Sequence, residues 1–182
     1  MDEFLDILLK EEVLIRGHFL LSSGLHSEWY FEKMRLVENP SLLSLFIKEL
    51  LKKTGKDFDK VVGPFKGGAI VAYEVARQLN IRCAFAEKVE DKMLIRRGKG
   101  IKGKDRVLVV DDVLTTGGSL LKTVKAVEEK GGEVVKKGVL IDRSEKDIGT
   151  DYEYVVKYSI KNYSPSECPL CRDKKPLIKP GG

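Results

Sequence analysis

Two adjacent carboxylates, Asp111 and Asp112, stand just before Thr115, Thr116, Gly117, Gly118 and Ser119. That order suits a sugar phosphate. The N–H groups of a glycine-rich loop and the positive end of a following helix converge on an anion, and three hydroxyls add donors. Bare phosphate would have little use for two acids at the lip, whereas ribose hydroxyls can donate to them. The elements that must hold this group are legible on either side. The continuous apolar run 107–110 reads as a strand buried on both faces of a parallel sheet, with the carboxylates where it emerges. Leu120, Val124 and Val127 then recur at helical spacing. The stretch lacks the lysine of a nucleoside-triphosphate loop and the GxGxxG of a dinucleotide fold.

A second strand–loop–helix unit precedes it. Residues 58–63 read as a strand, Pro64, Phe65, Lys66, Gly67 and Gly68 as a loop with a lysine for an anion, and 69–79 as a helix. Further strands are expected at 81–86 and 133–141 and an edge strand at 152–160, with helices at 40–53 and 119–130. Alternation of this kind implies an α/β fold with a doubly wound parallel sheet, its phosphate loops at the carboxyl ends of the strands. The organisation read from this is a helix and hood over 1–38, an α/β core over 39–160 and an irregular tail over 161–182. Within the hood, 19–21 and 29–31 flank a turn-rich SSGLHS, as in a hairpin.

At 182 residues the chain suits one sizeable core. It has no run of about 18 apolar residues, the length a membrane span needs. The acidic start lacks the order of a signal peptide, so a cytoplasmic location is expected. The net charge is +5, and the stretch 87–106, with eight bases against four acids, carries +4 of it. So local an excess, beside a phosphate site, fits a polyanionic small molecule better than nucleic acid. Three cysteines make no disulfide framework. Cys168-x-x-Cys171 has the spacing of half a zinc site. A site of four thiolates would need two subunits and a mixed one an added histidine, so a turn with two thiols is the preferred reading.

The stretch 106–121 closely resembles the phosphoribosyl-pyrophosphate (PRPP) motif of type I phosphoribosyltransferases: apolar residues, then DD, an apolar pair and TTGGS. The resemblance implies that fold, with PRPP bound by Asp111, Asp112, Val113, Leu114, Thr115, Thr116, Gly117, Gly118, Ser119, Lys66 and Gly67. The loop 64–68 resembles the family's pyrophosphate loop, one residue shorter. Residues 19–27, of the form F-x-L-x-S-G-x-x-S, resemble the hood of orotate phosphoribosyltransferases, with Ser23, Gly24 and His26 in it; His26 stands where a lysine is usual. Tyr30, Phe31 and Thr115 would then contact orotate, and Arg143 its carboxylate. The basic stretch resembles the family's mobile catalytic loop. Lys88 aligns with its first lysine, Lys92 lies one place from the second, and Arg96 or Arg97 could substitute for missing members.

What the resemblance implies is transfer of phosphoribosyl from PRPP to orotate in pyrimidine synthesis. Lys88, Lys92 and Asp112 would be catalytic, and Mg²⁺ would be held mainly by PRPP without a direct protein ligand. Loop 87–104 would reach the neighbouring active site of a homodimer, and no nucleic-acid or membrane partner is expected. The alternatives are transfer to another base (a purine, uracil or xanthine) and a non-enzymatic PRPP-sensing transcription regulator.

Overall fold

The computed structural model describes residues 3–96 and 100–180. It opens with α1 (Glu3–Lys10), then β1 (Leu14–Leu20) and β2 (His26–Phe31) of an antiparallel hairpin, and the short α2 (Lys33–Val37). Next comes α3 (Pro40–Thr54), with Pro40 in its first turn and the Asn39 side chain accepting from the Leu42 N–H at 3.2 Å. Both are helix-start signals. The chain continues through β3 (Lys60–Pro64), α4 (Gly67–Leu79), β4 (Arg82–Val89), β5 (Lys92–Leu94), β6 (Arg106–Leu114), α5 (Gly118–Glu128), β7 (Glu133–Asp142) and β8 (Glu153–Lys157). The last elements are β9 (Asn162–Tyr163) and α6 (Pro169–Arg172).

Six strands form the central sheet in the order β5-β4-β3-β6-β7-β8, all parallel except β5. It is doubly wound. Leu108 and Val110 of β6 pack with Phe46 and Leu50 of α3 and Val71 and Val75 of α4 on one face. Val107 and Val109 pack with Leu120, Ala126 and Val127 of α5 on the other. Alternate residues of one strand thus feed both layers, which is why the run 107–110 is apolar without a break. Because α4 and α5 leave neighbouring strands for opposite faces, a crevice opens between the ends of β3 and β6, where open α/β sheets bind ligands.

Two expectations are corrected. The strand carrying the carboxylates does not end before Asp111. β6 runs on to Leu114 because β7 stays beside it, pairing Asp111 with Val139 and Leu114 with Asp142. Its pairing with β3 stops at Val109, so the two acids remain on a strand but face a gap. The basic stretch keeps most of its charged side chains exposed and is tied to the sheet at both described ends. Residues 87–94 form the β4–β5 hairpin, and Lys60 Nζ binds the Gly100 carbonyl at 2.7 Å and Asp105 at 2.5 Å. Arg97 lies outside the described residues. The tail, expected to be irregular, contains α6 and adds β9 to β2, making a three-stranded hood sheet β1-β2-β9.

Candidate active site

The site is built on the crevice between β3 and β6. Asp111 and Asp112 are almost fully buried there, 6% and 4% exposed. The loop 64–68 lies directly against them. A Cβ on Gly67 would fall 1.8 Å from Asp112 Oδ2, and one on Gly68 would fall 2.8 Å from Asp111 Oδ1. Glycine is therefore required at Gly67 by contact with Asp112, and at Gly68 by Pro64, whose Cδ would lie 2.6 Å from the added Cβ, together with Asp111. Lys66 follows a cis peptide bond from Phe65 and caps the start of α4, exposed at the mouth of the crevice.

Burial above all, and then the charge of Asp112, raises the Asp111 carboxyl to about 7. The Asp112 N–H donates to Asp111 Oδ1 at 2.9 Å, and the Val113 N–H donates to Asp112 Oδ1 at 2.8 Å. Asp112 Oδ2 is buried and receives no hydrogen bond among the described residues, although Lys33 Nζ lies 3.0 Å away as an ion-pair partner. Lys33, on α2, gives no signal in the sequence. Nothing local to it marks a residue that will meet an acid 79 positions away.

After β6 the backbone turns through Gly117 in the left-handed region, φ 76°, and enters α5 at Gly118. Residues 113–120 with Asp111 enclose a small hollow of about 40 Å³ at the start of that helix. All the loop residues expected around a 5′-phosphate are therefore gathered in one place. Beside it lies a larger cavity of about 520 Å³, lined by Thr115, Thr116, Arg143, residues 145–148, Ile160 and Asn162. Two of its polar atoms, Arg143 Nε and Asn162 Oδ1, are buried without a hydrogen-bond partner among the described residues. Burial lowers the Arg143 guanidinium from its usual value. Its charge stands 5.1 Å over the Phe31 ring.

Of the hood residues expected at the base, neither Tyr30 nor Phe31 lines this cavity. Phe31 is 4% exposed and belongs to the core, beneath Arg143, while Tyr30 stacks near Phe19 at 5.5 Å. Ser23 and Gly24 form the exposed hairpin turn, Gly24 with φ 81°. His26 turns into the hood, its Nδ1 3.0 Å from His18 Nε2. Lys88 and Lys92 are exposed on the β4–β5 hairpin, Lys92 beside Lys122 and Lys125 of α5; Arg96 pairs with Glu87 at 2.9 Å. Residues 145–148, Ile160 and Asn162 were not foreseen from the sequence. They are brought to the cavity by the loops after β7 and β8 and by the start of β9, none of which carries a motif.

Residues 41–170 match the family model for the phosphoribosyl transferase domain. The chain is 46% identical to the orotate phosphoribosyltransferase of Caldanaerobacter subterraneus subsp. tengcongensis over 99% of its own length and 96% of that protein's. The chain belongs to the orotate phosphoribosyltransferase family. Another member, from a Thermoanaerobacter species, is 43% identical over the same shares of the two chains. Among solved structures, orotate phosphoribosyltransferase from Aeropyrum pernix superposes with a TM-score of 0.71 at 29% identity, covering 84% of this chain and 92% of that one. The Mycobacterium tuberculosis enzyme in complex with PRPP gives 0.67 at 26% identity, covering 86% and 96%. The family's fold and this chain's crevice thus agree, with the acids and both glycine loops at the sheet's switch point.

Proposed function

We propose that this chain transfers the 5-phosphoribosyl group from PRPP to orotate, releasing pyrophosphate and forming orotidine 5′-monophosphate. One observation carries the choice of base: a half-buried Arg143, its Nε buried and without a hydrogen-bond partner among the described residues, lines a cavity adjoining the hollow at 113–120. A guanidinium in that state suits a planar carboxylate, which purines and uracil lack. Asn162 Oδ1 offers a buried acceptor to a ring N–H in the same cavity.

The hollow at 113–120 would hold the 5′-phosphate through backbone N–H groups and hydroxyls. Asp111 and Asp112 would accept from the ribose hydroxyls and stabilise positive charge at the anomeric carbon as its bond to pyrophosphate breaks and its bond to the base nitrogen forms. Lys66 would hold the departing pyrophosphate at the opening of α4. The site fits Mg²⁺ in that the buried Asp112 carboxylate, paired with Lys33 at 3.0 Å, puts hard oxygens beside the crevice. The ion would be carried mainly by PRPP and would neutralise charge on the leaving group, with Lys66 adding a second positive charge for the pyrophosphate. Lys88 and Lys92 would act from loop 87–104 on the neighbouring subunit of a homodimer, in the cytoplasm. Among the described residues no helix is long and apolar enough to cross a membrane.

The test is loss of orotate absorbance with PRPP and Mg²⁺, each omitted in turn. Loss only in the complete mixture is expected, and turnover of hypoxanthine but not orotate would overturn the assignment. Arg143→Ala should raise the orotate KM by about 10- to 100-fold, the equivalent of one charge-assisted interaction of about 1.5–3 kcal/mol, with the PRPP KM little changed.

A further inference from the structure

Outside the active site, four side chains from three distant segments meet in the hood. They are His18 on β1, His26 on β2, and Cys168 and Cys171 around α6. His18, His26 and Cys168 are 3%, 5% and 1% exposed, and Cys171 stands at the solvent edge. One ligand atom from each lies within 4.8 Å of all the others.

The protons in this group do not suit hydrogen bonding alone. His18 Nδ1 lies 2.9 Å from the Lys175 carbonyl, which can only accept, so Nδ1 carries the proton and Nε2 the lone pair. Three potential donors crowd that one lone pair: His26 Nδ1 at 3.0 Å, Cys168 Sγ at 3.5 Å and Cys171 Sγ at 3.7 Å. A single lone pair serves one of them well. A cation at the centre serves all four. Cys171 Sγ is also 3.2 Å from His26 Nδ1. With metal–nitrogen bonds of about 2.05 Å and metal–sulfur bonds of about 2.3 Å, a tetrahedral zinc site has N···N edges of about 3.3 Å and N···S edges of about 3.6 Å. The observed separations lie close to these edges. The His18–carbonyl bond is the usual outer contact that orients a ligating imidazole.

We propose that His18, His26, Cys168 and Cys171 bind one zinc ion, in a closed structural site that clamps the C-terminal tail onto the hood. Two thiolates and two neutral imidazoles balance the charge of a divalent ion, as burial demands, and favour zinc over magnesium or calcium. Four protein ligands leave no open position, so the ion serves the fold and not the chemistry. The surrounding chain agrees with a clamp. β9 pairs with β2, and beyond α6 the tail returns to β1, the Leu20 N–H donating to the Ile178 carbonyl and the Ile178 N–H to the His18 carbonyl, both at 2.8 Å. The metal would sit between these two seams.

Metal content of the full-length protein, purified without chelator or metal-affinity resin, tests this directly. One zinc per chain is expected. A strong chelator should remove it and lower the melting temperature by several degrees, and one equivalent of zinc should restore it. Cobalt added to the stripped protein should show the intense absorption of a tetrahedral thiolate site. A Cys168→Ser, Cys171→Ser double variant should lose both signals, whereas Cys83→Ser should keep them. Wild-type protein that takes up no stoichiometric zinc and gives no thiolate–cobalt spectrum would overturn the site, and neither of these wild-type readouts depends on how well a variant folds.

Discussion

At the scale of single residues, the active site concentrates charge where burial makes charge costly. Asp111 holds its proton to about 7, first because it is buried and then because Asp112 adjoins it. An unfolded aspartate releases its proton near 3.9. Between those values the folded protein binds a proton that the unfolded chain has lost, so stability falls as pH rises through that window and the penalty is complete above it. Asp111→Asn cannot ionise. In ligand-free protein, the melting temperature of that variant minus that of wild type should therefore become more positive from pH 5 to pH 8. A change of about 3 °C corresponds to roughly 1 kcal/mol in a domain of this size. A difference that stays flat with pH would show that Asp111 ionises as an ordinary acid.

Among the elements, β3, β6 and the two loops that leave them do most to define the site. The glycines of the first loop face side chains of the second unit, so neither unit is complete without the other. Gly67→Ala should drive the loop off Asp112. Overpacking of this kind costs about 1–3 kcal/mol of stability. Its larger effect should be on turnover, which should drop at least about 100-fold, since a displacement of about 1 Å in a positioned group costs that much. Steady-state kinetics and thermal melting on the same variant separate the two effects. Gly149→Ala is a useful contrast, as its Cβ would meet nothing within 4 Å although its φ of 75° is strained.

On the scale of the whole molecule, hood and core are not separate bodies. Leu8, Val13, Leu14 and Phe31 belong to the same buried cluster as Phe46 and Leu140. The tail then crosses back to close the hood sheet through β9. If loop 87–104 works on the neighbouring subunit, two defective variants should complement. A Lys88→Ala, Lys92→Ala chain mixed in equal amount with Asp112→Asn should recover about a quarter of wild-type activity after subunit exchange, because half of the dimers are mixed and each has one intact site. Mixtures no more active than their components would place the loop's action within its own chain.

The sequence alone determined the layered fold, because burial on both faces demands unbroken apolar runs and amphipathic helices that any reader of periodicity can find. It determined the two glycine-rich strand-to-helix loops as well, since a backbone that turns tightly into a helix with its N–H groups exposed needs glycine and hydroxyls in consecutive positions. Only the tertiary structure decided the rest. That β6 carries Asp111 and Asp112 as strand residues follows from β7 continuing alongside after β3 has parted, and pairing across 28 residues leaves no local mark. Lys33 beside Asp112, Asn162 in the cavity and Phe31 beneath Arg143 are contacts between elements that share no motif. The same holds for His18 and His26. His18 is an unremarked strand residue, and His26 is marked only by standing where a lysine is usual, until folding carries Cys168 and Cys171 across 150 and 145 positions to meet them.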